Sequence, residues 1–506
     1  MARFFITTAI DYANGEPHMG HAFEKIGADC IARYRRLRGD DVWFLIGMDE
    51  HGQKVARTAA DLGITPAQLV DRLAATFRAT WTELAISQDQ FIRTTDPAHH
   101  AGVRELIERI FARNPDDFYE RAYAGWYCVG CEAFKTEAEI VDGKCSLHPT
   151  RTLDWVEERN WFFRLSRYQD FLRDLHQRRP DFLQPESRRN EILGLLRHGL
   201  EDISASRSRF TWGVPFPRPT SDGEQQTTYV WFDALPNYWT ASRFPGSGAH
   251  WPAQLHVIGK DITRFHTIIW PALLHAAGEA VPERVWAHGF IYFGSDRLSK
   301  SAGVRLDLGE AIARHGPDAL RYFLMREVGF ANDGTFTWER FDERYQADLA
   351  DGLGNLASRS LAMLERYRGG TVPAGGTTPL DQAGERAVAS YGTAMDALDL
   401  RAGLDAAWEL VTAANQYIVQ TAPWALAKRG ADADLDTALA ALARCLIRLA
   451  VLAGPFMPGK AQELWRNMGQ PALLETAWAL AAAPEVTGLG VRKTEGLFPR
   501  LAPPNP

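Results

Sequence analysis

The first fifty residues constrain the fold more than any other stretch of the chain. Phe4 to Ile10 is an apolar, β-rich run that meets the turn Asp11-Tyr12-Ala13-Asn14-Gly15-Glu16-Pro17. A helical pattern begins near His18, with Phe23, Ile26, Cys30, Ile31, Tyr34 and Leu37 recurring at helical spacing. Arg38-Gly39-Asp40-Asp41 stops that run, and Val42 to Ile46 is a second short apolar strand before Gly47. Strand, helix and strand in so short a span predict a parallel βαβ unit, whose ligands bind beyond the carboxyl ends of its strands. Cys30, on the buried face of the helix, is expected to be a core thiol.

The α/β alternation breaks between 115 and 225, where short strand-like pieces, Trp and turns take over. It returns with Tyr229–Phe232, Gln254–Ile258 and Val285–Tyr292, all read as strands. From about Asp348 the pattern is helical, rich in Ala and Leu, and Ala438–Phe456 reads as an amphipathic helix interrupted by Arg444 and Arg448. The expected architecture is an α/β Rossmann-type domain in two halves, 1–114 and 226–296. An insertion, 115–225, splits them, and a loop and contact region, 297–350, leads to an all-α bundle, 351–506.

Composition narrows the class of function. With 506 residues, 46% hydrophobic and 24% charged, the chain is ordinary globular protein. A net charge of −7 gives no global support for nucleic-acid binding and does not exclude a local basic face. No charge-free apolar stretch of about 18 residues appears, and the amino terminus lacks a signal-like pattern, so a cytoplasmic location without membrane contact is expected.

Five cysteines are present, and three of them crowd together as Cys128-x2-Cys131, thirteen residues, then Cys145-x2-His148. Two short-spaced pairs of soft and borderline donors suit tetrahedral Zn²⁺. Four protein ligands leave no open position, so one structural zinc is expected rather than a hydrolytic one.

Two motifs carry the remaining chemistry. His18-Met19-Gly20-His21 offers two imidazoles at i and i+3 on a helix N-terminus, where both can donate to phosphate with help from the helix dipole. Arg297-Leu298-Ser299-Lys300-Ser301-Ala302-Gly303 sets two cations beside small hydroxyl residues, able to clamp a triphosphate and stabilise a leaving pyrophosphate. Alone, the first reads as capping histidines and the second as a solvated basic loop. Together, in this order within one split domain, they resemble the signature pair of class I aminoacyl-tRNA synthetases.

Longer strings sharpen the likeness. Tyr12 to His21, Gly47-Met48-Asp49-Glu50-His51-Gly52, Val230-Trp231-Phe232-Asp233-Ala234 and Gly259 to His266 resemble the methionyl-tRNA synthetase family. So do Asp333-Gly334-Thr335-Phe336, Gly354 to Arg359 and Ala422-Pro423-Trp424, so the resemblance covers nearly the whole chain in the family's order. It implies ATP-dependent activation of L-methionine to methionyl-adenylate and transfer to initiator and elongator tRNA-Met, with Mg²⁺ accompanying ATP. By the same resemblance, His18, His21, Arg297 and Lys300 act on the phosphates. Asn14, Gly15, Gly20, Gly259, Asp261, His288 and Gly289 complete the ATP site. Asp49 holds the substrate ammonium, and Ile10, Tyr12, Trp231, Ala234, Leu235, Tyr238, Ile262 and His266 wall the methionine pocket. Related bacterial enzymes carry a single zinc knuckle whose ligands match Cys128, Cys131, Cys145 and His148, and Asn355, Arg359 and Trp424 match positions that read the CAU anticodon.

The second motif departs from the family, which usually has Lys-Met where Arg297-Leu298 stands and Leu-Gly-Asn after the second serine; Lys300 is retained. Some relatives carry a further C-terminal dimerising domain that has no counterpart here, so a monomer is expected. A different class I synthetase, such as a cysteinyl one, is opposed by the aromatic pocket set. A non-catalytic binding paralogue is opposed by His18, His21, Asp49 and Lys300.

Overall fold

Strand β1 (Arg3–Thr8) is built from aromatic and β-branched residues and carries the chain into β2 (Asp11–Tyr12). Helix α1 (Met19–Leu37) follows, then β3 (Asp41–Asp49) and β4 (Gln90–Arg93). The structure is a computed structural model that describes residues 2–501 apart from 132, 136, 209–210, 245–249, 295–305, 472–476 and 494–495. The insertion opens with β5 (Phe118–Cys128), β6 (Ala133–Lys135), β7 (Ile140–Val141), β8 (Lys144–Cys145), β9 (His148–Thr152) and β10 (Asp154–Phe163). Four short strands come next: β11 (Leu183–Gln184), β12 (Ile203–Ser204), β13 (Ser206–Arg207) and β14 (Thr227–Thr228). The main sheet resumes with β15 (Leu255–Gly259) and β16 (Val285–His288), and β17 (Ile291–Phe293) pairs with β18 (Gly334–Phe336).

The main sheet runs β11-β16-β15-β1-β3, with β2 on the β1 side of β3 and β4 on its other side; every pairing is parallel. Because side chains alternate across a strand, the sheet divides its apolar residues between two cores. Phe4, Ile6, Phe44, Ile46 and Met48 face α1 and the C-terminal helices. Phe5, Trp43, Leu45 and Ile92 face the helices Pro97–Arg113 and Trp270–Ala277. The carboxyl ends of β1, β3, β15 and β16 therefore converge on one rim, flanked by the N-terminus of α1. Cys30 is fully buried on α1, and burial pushes its thiol up to about 12, as expected of a core residue.

In the insertion, β5 and β10 form a long antiparallel ribbon, from Phe118 opposite Phe163 to Tyr127 opposite Asp154. The stretch 115–225 is not wholly separate from the main sheet: β11 lies within it yet pairs with β16 as an edge strand. Its two residues are too few to give a periodic signal. Tyr229–Phe232, expected as a strand, begins the helix Val230–Ala234 instead. A short run buried on every side carries no period that separates the two conformations.

Helices Asn355–Arg368, Pro379–Asp396, Leu400–Thr421 and Asp432–Ala453 form the expected C-terminal bundle. The last of these departs from an amphipathic pattern, being buried continuously from Cys445 to Ala453. Its arginines do not mark a solvent face: Arg444 and Arg448 reach Asp381 at 2.6 and 3.5 Å. Arg321 joins bundle and catalytic domain, donating to Asp29 of α1 at 2.6 Å and to the carbonyls of Pro455 and Phe456. Among the described residues no helix is long and apolar enough to cross a membrane.

Candidate functional site

His18 is the N-cap of α1, with extended backbone (φ −132°, ψ 173°). Its Nδ1 accepts from the Gly20 N–H at 3.1 Å, and His21 Nδ1 accepts from the His18 N–H at 3.3 Å. A backbone N–H can only donate, so in both rings the proton sits on Nε2. Burial, helped by the neighbouring His18 and Lys25, holds His21 well below the usual imidazole range, so it is a neutral donor at pH 7. The rings stack at 3.7 Å, giving two parallel N–H donors beside the positive end of a helix dipole.

Beneath them lies a buried ionic network. Lys25 donates to Asp11 at 2.7 Å, to Glu24 at 3.0 Å and to the Ala9 carbonyl at 2.9 Å. Glu24 also meets His288 Nε2 at 3.1 Å, while His288 Nδ1 donates to the Gly289 carbonyl at 2.7 Å. Lys25 and His288 outweigh the cost of burial and hold Glu24 at about 2. Both nitrogens of His288 are thus engaged within the protein, tying the end of β16 to α1. Gly289 is required by close approach, since a Cβ there would overlap the Asn332 backbone. The next turn is fixed by Lys260, which pairs with Asp333 at 2.6 Å. Gly259 ends β15 and Asp261 lies in the following turn, whereas Asn14 and Gly15 are exposed after β2.

Beside this rim is a cavity of about 290 Å³. All nine residues expected to hold methionine line it: Ile10, Tyr12, Asp49, Trp231, Ala234, Leu235, Tyr238, Ile262 and His266. Tyr238 and His266 are buried and bonded at 2.8 Å. His266 Nδ1 donates to the Ile262 carbonyl at 3.1 Å, so Nε2 accepts the Tyr238 hydroxyl proton. Burial lowers His266 to about 4, leaving it uncharged at neutral pH. Trp231 stacks on Phe265 at 3.6 Å, which fixes its ring as a wall. One end of the cavity is therefore aromatic and neutral, and Asp49 supplies negative charge.

Sequence reasoning missed several contributors. Lys54, Asn237, and Gly130 and Cys131 of the cysteine cluster also line the cavity. Asp233, inside a motif already noted, bridges His51 at 2.6 Å and His99 at 3.0 Å. That bridge fastens the loop after Asp49 to the helix carrying Trp231 and Ala234. A buried acid between two pocket residues was the only sequence signal for it.

Cys128, Cys131, Cys145 and His148 converge, their ligand atoms all within 4.8 Å of one another. The His148 Nδ1 lies 3.3, 3.8 and 4.0 Å from the three sulfurs, and Cys131 and Cys145 are 3.5 Å apart. Bond lengths of about 2.3 Å to sulfur and 2.0 Å to nitrogen give tetrahedral edges of roughly 3.5–3.8 Å, so these residues fit Zn²⁺. Gly130 has no Cβ to meet the His148 ring, which packs over it. In the bundle, Asn355 opens its helix and Arg359 follows one turn later, with its guanidinium 5.9 Å from the ring of half-exposed Trp424. Arg297 and Lys300 lie outside the described residues.

A parallel sheet with paired histidine donors at its first helix and a substrate cavity at the strand ends is the plan of a class I aminoacyl-tRNA synthetase. Comparison with known proteins agrees. Residues 4–153 and 139–361 match the family model "tRNA synthetases class I (M)", and 369–498 match "Anticodon binding domain of methionyl tRNA ligase". The methionine–tRNA ligase of Brucella suis is 42% identical over 98% of both chains. That of Caldanaerobacter subterraneus is 40% identical over 98% of this chain and 79% of its own. Mycobacterium tuberculosis methionyl-tRNA synthetase in complex with methionyl-adenylate superposes with a TM-score of 0.93, at 40% identity, over 99% of this chain and 100% of that one. Its free-state structure superposes with a TM-score of 0.86, at 38% identity, over 100% and 99% of the two chains. The chain belongs to the methionyl-tRNA synthetase family, and its activity is that of a methionine–tRNA ligase, which activates methionine with ATP and charges tRNA.

Proposed function

We propose that the cavity beside α1 holds L-methionine with its thioether against Trp231, Tyr238 and His266 and its ammonium on Asp49. The observation that carries this is the gathering of nine residues from four separate chain segments around one neutral, aromatic slot with a carboxylate at its end. A thioether gains roughly 0.3–1.5 kcal/mol from aromatic contact, and a buried ammonium needs a paired anion.

The methionine carboxylate attacks the α-phosphorus of ATP, and the bond to pyrophosphate breaks. The Nε2–H groups of His18 and His21 and the N-terminus of α1 stabilise the charge that develops; Lys300 and Arg297 act on the leaving pyrophosphate. Mg²⁺ accompanies ATP. The terminal adenosine of tRNA-Met, initiator or elongator, then attacks the adenylate carbonyl and AMP leaves. Asn355, Arg359 and Trp424 contact the CAU anticodon by stacking and hydrogen bonds. Zn²⁺ held by Cys128, Cys131, Cys145 and His148 supplies structural closure of the knuckle. Residues 1–114 and 226–296, joined by the edge strand β11 from within 115–225, form the catalytic domain, the rest of 115–225 the insertion, 297–350 the loop and stem-contact region, and 351–506 the anticodon domain. The enzyme is taken to work as a monomer in the cytoplasm.

Amino-acid-dependent ATP–pyrophosphate exchange with the purified chain tests the reading. Exchange with methionine alone is expected; exchange with a different amino acid, or none from folded protein, overturns it.

A further inference from the structure

One cavity residue has no part in the chemistry above. Lys54 stands in the first turn of the helix Gln53–Asp61, which the chain enters through Gly52 at φ 107°. Among the described residues that line the cavity it is the only Lys or Arg, against two carboxylates, Asp49 and Asp261. Its Nζ lies 5.5 Å from the centre of the Tyr12 ring. Tyr12 is in turn the β2 partner of Asp49 on β3. Asp49 and Lys54 therefore both adjoin Tyr12 in the cavity lining. Trp231, Tyr238 and an uncharged His266 supply its neutral wall.

An α-amino acid presents opposite charges on a single carbon. A site for the whole zwitterion needs an anion and a cation at one end and a neutral slot for the side chain at the other. We propose that Lys54 binds the α-carboxylate of methionine, so that Asp49 and Lys54 together recognise the backbone of the amino acid. The Tyr12 ring limits where the ammonium can go, because a cation is attracted to an aromatic face. One carboxylate oxygen is then held by Lys54 while the other stays open to attack phosphorus. The proposal rests on the cavity being the methionine site.

The test compares equilibrium binding of L-methionine and L-methioninol, which lacks the carboxylate oxygen pair, to wild-type protein and to the K54Q and K54R variants. Loss of a charge-assisted hydrogen bond predicts that K54Q weakens methionine about 10- to 150-fold. Methioninol should change by no more than about twofold if its contacts are untouched, and K54R should recover part of the loss. Equal weakening of both ligands would make Lys54 a structural residue and overturn the proposal, as would no weakening of methionine. Wild-type protein that binds neither ligand would overturn the reading of the cavity itself.

Discussion

Replacing Tyr238 with Phe removes a single hydroxyl from the cavity and leaves the ring volume in place. That hydroxyl donates to His266 Nε2 at 2.8 Å, and the other ring nitrogen is already committed to the Ile262 carbonyl. With His266 lowered to about 4, it does not protonate at neutral pH to satisfy itself. In the free Y238F enzyme, a water in the cavity of about 290 Å³ can donate to Nε2 instead. Methionine must expel that water, and a thioether has no proton to give. The stranded acceptor thus costs binding about 1–3 kcal/mol, or roughly 5- to 150-fold in the methionine KM. With ATP proposed on the α1 side, its KM should hold. Pyrophosphate exchange measured against methionine and then against ATP reads both constants. A methionine KM unchanged in Y238F, or an equal rise for ATP, would refute the assignment of this pair to the side-chain end of the pocket.

Substituting Trp424 or Arg359 with Ala should leave methionine-dependent exchange unchanged. The KM for tRNA in charging should rise by about 5- to 150-fold, since base stacking contributes roughly 1–3 kcal/mol; an equal loss in both assays would count against anticodon contact. Acid should destabilise the catalytic domain through His266. Its folded value near 4 lies below the ordinary 6.5, so its contribution is full above about 6.5 and fades as pH falls toward 4, roughly 3 kcal/mol in all. Thermal unfolding between pH 7.5 and 5 should therefore shift less in H266Q than in wild type. Stripping metal with a chelator should release about one Zn²⁺ per chain. Because Gly130 and Cys131 also line the cavity, it should raise the methionine KM as well. A metal-free protein with unaltered methionine KM would separate the knuckle from the pocket.

Much of this was legible in the residues themselves. The Cys128 to His148 spacing named the four side chains that converge, because such a cluster is local and its geometry is nearly written in the x2 intervals. The strand, turn and helix around His18 were equally local, since capping acts over three residues. The resemblance supplied nine of the residues that line the cavity. Other features were out of reach. The run at Tyr229 is too short to tell helix from strand, and Arg448 looked like solvent face until its partner Asp381, far back in the chain, was beside it.

The sequence by itself determined most of the longer elements, the order of the motifs and the Cys/His spacing of the knuckle, since each depends on neighbours along the chain. Only the tertiary structure decided that Lys54 shares the cavity with Asp49 and that Asp233 bridges two histidines beneath it. It alone seats the cysteine knuckle on the pocket wall and Arg359 beside Trp424. Those relations join residues from distant parts of the chain, and burial and charge pairing across such distances follow from how the sheet, insertion and bundle pack.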